Sequence, residues 1–216
     1  MRDYEAMARN VASRIAAPAR PIDIARVYYH GTPKKERADR IMAEGLLPDM
    51  RAAKGQMAPV HGRVYLTPDI GYAAIYAIGG NMLGSVLRPD WIEREGQYGY
   101  MLVIPGSELR DIQPDEDSVG EMIEKVPWLR SVAERRLTSN QLAKVLDGDA
   151  SWQAAAGKKL MPFLSDGQKQ DLIDRGAHVA NEGRVQPSQC WQIDRGLCQD
   201  LKKDGSNFFQ VAERYR

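Results

Sequence analysis

The sequence predicts an α+β fold interrupted by a helical insertion, and three observations predict it. "RVYYHGTPKKERADRIMAEGLLP" and "GRVYLTPDIGYAAIYA" each read as a strand, a turn and a helix. "YGYMLVIPGSEL" carries the strongest strand pattern in the chain, bounded by Gly96 and by Pro105-Gly106. From Val119 to about Gly176 the apolar residues recur at helical spacing, and strand patterns return only after that stretch.

Taken in order, residues 1–25 begin with Tyr4, Met7, Val11 and Ile15 at spacings of three and four, one apolar stripe of an N-terminal helix that leads into a linker. Asp3 and Glu5 argue against reading this segment as a transit peptide. Residues 26–216 then form the main domain. Val27, Tyr28 and Tyr29 favour a strand, and Thr32-Pro33 supply a cap and a first helical residue. The following helix carries Ala38, Ile41 and Met42 on one face, takes Gly45 as its left-handed cap and is stopped by Pro48. His30 and Gly31 are thereby expected at the strand-to-helix junction.

A loop from Asp49 to Gly62 leads to a second strand, Val64 to Thr67. Thr67-Pro68-Asp69 form turn and cap, and the next helix holds Tyr72, Ala73 and Tyr76. The insertion, about residues 115–176, contributes Met122, Ile123, Val126, Leu129, Val132, Leu142, Val145, Leu146, Leu172 and Ile173 to helical faces. "AHVANEGRVQPSQCWQI" returns to strand, and "NFFQVAERY" reads as a closing edge strand.

Composition narrows the classes of function. Lys plus Arg number 30 against 29 Asp plus Glu, a net charge of +1 that gives no global footprint for nucleic acid or an anionic membrane, so any such contact is local. No apolar run reaches the roughly 20 residues that span a bilayer, and no secretory leader is apparent. The expectation is a cytoplasmic protein, or one delivered into a target cell, without a membrane partner. Cys190 and Cys198, in a C-x7-C spacing, suit neither a disulfide framework nor a metal site, so no metal is expected.

In chain order, "YYHGT", a helix ending in "EGLLP", "RVYLTPDIGYAAIYA" and "NEGRV" together resemble the ADP-ribosyltransferase superfamily. The match is to the branch with a His, Tyr, Glu triad typified by poly(ADP-ribose) polymerases and diphtheria-type toxins. The resemblance covers roughly residues 26–113 and 177–193 and leaves out the insertion. It implies a split mixed β-sheet whose cleft holds NAD as co-substrate. It also implies His30 on the adenosine-side ribose, Gly31 as backbone contact to the nicotinamide carboxamide, Thr32 beside them, Tyr65 and Tyr76 sandwiching the nicotinamide ring, and Glu182 on the nicotinamide ribose. His30, Tyr65 and Glu182 would be the catalytic set.

These residue types suit that chemistry. Cleaving the nicotinamide–ribose bond creates an oxocarbenium-like centre, which a fixed carboxylate stabilises most in the transition state. A glycine lets the backbone approach a planar amide and read both its atoms. Aromatic faces hold a pyridinium by stacking and cation–π attraction, with Tyr72 as a substitute for either tyrosine. A pyrophosphate needs cations or helix N-terminal amides, and Lys34, Lys35, Arg37, Arg51, Lys54 and Arg63 are the candidates. In a different register Gln189 takes the third position in place of Glu182, and a glutamine does not stabilise positive charge as a carboxylate does.

The activity implied is mono-ADP-ribosyl transfer from NAD to a protein or nucleic-acid acceptor with release of nicotinamide, the insertion governing acceptor choice. RNA 2'-phosphotransfer using NAD, and a catalytically inactive NAD- or ADP-ribose-binding module, are the alternatives. The 2'-phosphotransferase pattern favours His where this chain has Tyr65.

Overall fold

The computed structural model describes residues 27–48, 62–77 and 96–194, a mixed α and β chain with antiparallel ladders. The expected N-terminal helix, the loop holding Arg51 and Lys54, and the strand "NFFQVAERY" lie outside the described residues. Two compact units divide the chain. One takes residues 1–110 and 182–216, and the other is Asp111–Asn181.

In the first unit β1 (Val27–Thr32) is followed by helix α1 (Lys35–Glu44), β2 (Arg63–Leu66), helix α2 (Ile70–Ala77) and β3 (Tyr98–Pro105). After the second unit β6 (Gln189–Asp194) closes a sheet of order β1-β3-β6, all antiparallel. β3 is the middle strand, and Met101, Leu102, Val103 and Ile104 are wholly buried. A continuous apolar run bounded by turn residues is what a strand covered on both faces requires.

The strand-to-helix junction differs from its expected place. β1 runs on to Thr32, with His30 opposite Leu102 and Gly31 opposite Met101, so both residues sit inside the strand. The ladder with β3 extends the strand past the turn signal, and Thr32 is its last residue rather than a helix cap. Lys34 takes the N-cap position of α1 and provides no side-chain hydrogen bond to the first turn. At the other end Gly45 has φ 83° and ψ 164°, a conformation open to glycine, and its N–H bonds the Ile41 carbonyl. Asp69 does cap α2 as expected, accepting from the Tyr72 N–H at 3.0 Å.

The faces of the sheet follow from the register, because residues directly opposite share a face and successive residues alternate. His30, Leu102 and Cys190 occupy one row on one face, and Tyr29, Val103 and Gln189 occupy a row on the other. Helix α1 lies on the His30 face, where Arg37 acts on the imidazole and Asp39 and Lys35 act on the Cys190 thiol. Helix α2 lies on the Gly31 side: a Cβ on Gly31 would overlap the Ala73 carbonyl oxygen and the Ala77 nitrogen. Only glycine permits that approach of strand backbone to helix backbone.

The second unit holds β4 (Gln113–Pro114), helices α3 (Glu116–Met122), α4 (Pro127–Arg136), α5 (Ser139–Leu146), α6 (Ala150–Leu160) and α7 (Asp166–Asp174), then all of β5 (Val179–Glu182) but its last residue, Glu182, which falls in the first unit. Gln113 pairs with Ala180 and Pro114 with Val179, which brings the two ends of the unit together. Val119, Ile123, Leu129, Leu160 and Leu172 centre its core. Helices α3 and α6 cross with no room between them: a Cβ on Gly120 would overlap the Gln153 carbonyl, and one on Gly157 the Glu116 carbonyl. Capping boxes start α5 (Thr138 with Gln141) and α7 (Ser165 with Gln168), and Asp149 caps α6.

Candidate functional site

The site begins where β1 and β2 part. Tyr29 and Thr67 exchange both backbone hydrogen bonds, at 2.8 and 3.1 Å, and this bridge is isolated. A residue in a ladder aims its N–H and C=O to the same side, and so does the residue two further on. Gly31 therefore directs both groups as Tyr29 does, away from β3 and into the space beyond the bridge. Among the described residues it makes no backbone hydrogen bond outside the β1–β3 ladder.

His30 is fixed across the same gap. Its Nδ1 lies 3.3 Å from the Tyr65 carbonyl oxygen. A carbonyl only accepts, so Nδ1 carries the proton and Nε2 is left as an acceptor. Burial is the main force holding the imidazole pKa down to about 4, and the Arg37 charge acts in the same direction against the opposing bond to Tyr65. The ring is therefore neutral through the physiological range. A neutral imidazole with a bare Nε2 accepts a hydrogen bond from a hydroxyl such as that of a ribose.

Arg63 and Tyr65 alternate with the buried Val64 and Leu66, so they share the outward face of β2. Glu182, the last residue of β5, reaches that face: its Oε1 is 3.7 Å from Arg63 Nη2, with the Glu182 side chain 56% exposed and that of Arg63 17%. Tyr76 comes from α2, where its Cβ is among the atoms nearest Gly31. Its ring partner is Tyr72, with centroids 5.4 Å apart at 41°. This tilted Tyr72–Tyr76 pair lies within α2.

Gln189 occupies a different place. It projects from the face of the sheet opposite His30, and its Oε1 accepts from the Trp191 indole at 2.9 Å. Trp191 in turn lies 6.1 Å from the Tyr29 ring. The structure thus links His30, Gly31, Arg63, Tyr65, Tyr76 and Glu182 through β1, β2 and α2, while Gln189 lies on the sheet face opposite His30, tied to Trp191.

Among the candidate cations, Lys35 is engaged by Asp39 at 2.6 Å and Arg63 by Glu182. Arg37 sits in a run of charged residues. Its burial and its proximity to His30 emerge only once α1 is placed on the sheet. No cluster of His, Cys, Asp or Glu suited to a metal ion occurs among the described residues, and none of their helices is long and apolar enough to cross a membrane. Comparison of the chain with protein-family models, with curated proteins and with solved structures finds no match.

Proposed function

We propose that this protein is an NAD-dependent mono-ADP-ribosyltransferase with the fold of that superfamily, transferring ADP-ribose to a protein or nucleic-acid acceptor and releasing nicotinamide. The observation that carries the reading is the parting of β1 and β2 after the Tyr29–Thr67 bridge, which leaves the Gly31 N–H and C=O aimed at the gap. A carboxamide offers one donor group and one acceptor, the complement of what a glycine backbone offers there. His30 Nε2 takes a ribose hydroxyl, and Tyr65 and Tyr76 supply ring faces for the nicotinamide.

Glu182 acts as the charge stabiliser. As the C–N glycosidic bond breaks, its electron pair leaves on nicotinamide and positive charge builds on the ribose. A carboxylate beside it lowers that barrier selectively. The acceptor then donates an electron pair to the ribose carbon and loses its proton to solvent. Arg63 holds the carboxylate in place before substrate arrives, and at 3.7 Å it is a loose partner that a bound cationic ribose can compete with.

The test is incubation of the full chain with NAD and measurement of free nicotinamide. Release without RNA supports this reading, release only with 2'-phosphorylated RNA replaces it with phosphotransfer, and no release leaves a binding module. His30→Ala is expected to weaken NAD binding with the fold retained. A collapse in thermal stability with unchanged affinity in the folded fraction would make His30 a core residue instead.

A further inference from the structure

In the helical unit, Asp111–Asn181, the two signs of charge are segregated along the chain. Arg135, Arg136, Lys144, Lys158 and Lys159 lie in two segments, 135–146 and 150–165, and every Asp and Glu of the unit falls outside them. Trp152 and Phe163 stand among these cations, and Phe163 is 47% exposed. We infer that the α5–α6 face, with Arg136, Lys144, Trp152, Lys159 and Phe163, is a docking surface for single-stranded nucleic acid, read without sequence preference. The inference is independent of the transferase reading, because every residue it uses lies within the helical unit.

Three contacts bring these side chains together. Arg136 Cζ sits over the Phe163 ring, 3.9 Å from its centroid. Lys159 Nζ donates to Gln141 Oε1 at 3.4 Å, and Lys144 Nζ stands 4.7 Å from the centroid of the Trp152 ring. Gln141 and Lys144 are three apart on α5, and Trp152 and Lys159 are seven apart on α6, so each pair shares a helix face. With Gln141 beside Lys159 and Lys144 beside Trp152, the two helices run in opposite directions along one surface. Phe163 follows four residues past Lys159, in the tight turn Met161–Phe163. At the helical rise, Trp152 and Phe163 are about 17 Å apart along that row, with Lys159 between them.

Charge complementarity selects the partner. The ion pairs of the helical unit among the described residues are Arg130–Glu134 and Arg175–Asp171, and neither uses a cation of this face. The Asp149 carboxyl, held low chiefly by its bond to Ser151, also feels the Lys144 charge. Lys158 is directed elsewhere, its charge opposing the rise that burial and Glu116 impose on Asp117. A single exposed ring is ordinary on a protein surface, and so is a charged helix. Rings interleaved with cations that no carboxylate neutralises make a more specific pattern: the cations meet phosphates, and the rings meet the faces of unstacked bases, which every base offers whatever the sequence. A duplex keeps those faces covered, and an acidic peptide brings charge without them. A single strand complements both sets at once.

The full chain is titrated into a fluorescent oligothymidylate at several salt concentrations and anisotropy is read, with unlabelled single strand, duplex and poly-glutamate as competitors. The single strand should bind and be displaced by itself far better than by the other two. Arg136→Gln, Lys144→Gln and Lys159→Gln together should flatten the dependence of log affinity on log salt by about 2, since each phosphate contact to a single strand contributes about 0.7. Phe163→Leu should weaken binding about 10-fold and leave that slope as it is. Ala155→Lys, at an exposed position between Trp152 and Lys159 on the row, should tighten binding and steepen the slope, a gain that misfolding does not mimic. No binding, displacement by poly-glutamate or duplex as effective as by single strand, an unchanged slope in the triple variant, or full affinity in Phe163→Leu overturns the inference. Binding that follows these variants sustains it whether or not nicotinamide is released from NAD, and nicotinamide release without such binding sustains the transferase reading alone.

Discussion

The helical unit and the sheet unit differ in how far they satisfy their polar groups. Within the helical unit, Trp128 donates its indole N–H to Asp171 at 2.9 Å, the His178 N–H finds Ser118 Oγ at 2.9 Å, and the helix starts at Thr138, Asp149 and Ser165 are capped by side chains. In the sheet unit α1 begins without a side-chain cap, Gly31 offers both backbone groups to a gap, and Thr32 Oγ1 and Arg37 Nε are buried without a partner among the described residues. Folding alone favours closing every such group. The helical unit closes most of these groups, whereas the sheet unit leaves several open along β1 and the start of α1.

That contrast can be broken most forcefully at the helix crossing. Gly157→Ala sets a methyl group against the Glu116 backbone, with no flexible side chain to yield, so the helical unit should lose about 3 kcal/mol or more. Urea denaturation followed by far-UV circular dichroism reads the loss, and an unchanged midpoint would mean the crossing is looser than described. Next in size, Glu182→Gln removes charge from an exposed side chain, so stability and NAD affinity should hold while nicotinamide release drops roughly 100-fold. Near-normal turnover would exclude this carboxylate. Gln189→Glu is expected to give no gain, since that side chain faces away from His30.

The pH dependence of stability sharpens the same contrast. The His30 and His178 pKa values are held down to about 4 from 6.5, chiefly by burial, so unfolding takes up protons at both between those values and stability rises with pH there. Burial, reinforced by Asp117, pushes Asp115 up from 3.8 to about 8, so its contribution runs the other way and is lost as pH rises toward 8. Two histidines outweigh one aspartate up to about pH 6.5, where stability should peak. It should then fall by about 2 kcal/mol toward pH 8. Asp115→Asn should flatten the fall, and persistence of the full slope in that variant would place its cause elsewhere. The smallest effect belongs to Thr138→Ala, which opens one capping box at a cost of about 1 kcal/mol and should leave NAD turnover untouched.

Much of the architecture was legible because it rests on local signals. The apolar run of β3, the Thr67-Pro68-Asp69 turn and Gly45 act through neighbours in sequence, and the helical stretch expected from Val119 to Gly176 contains α4 through α7 and most of α3. What escaped depends on distant partners. The ladder with β3 drew Thr32 into the strand and moved His30 and Gly31 off the junction. Gly120 and Gly157 serve a close approach of two helices that apolar periodicity does not show. The Arg63–Glu182 pair joins residues far apart in sequence, and the opposite facing of Gln189 and His30 needed the register of three strands.

The pairing of β4 with β5 has a kinetic consequence. Ser188 and Val103, which must meet when β6 docks on β3, are 85 residues apart. If the helical unit forms first, the pairs Gln113–Ala180 and Pro114–Val179 cinch its ends together, leaving only the two short flanking links to be closed. A loop shortened about fivefold costs roughly 1.4 kcal/mol less entropy to close. The helices, rich in local contacts, are the faster part to form. The insertion that separates the sheet's strands in sequence would thus also be the clasp that lets them find one another.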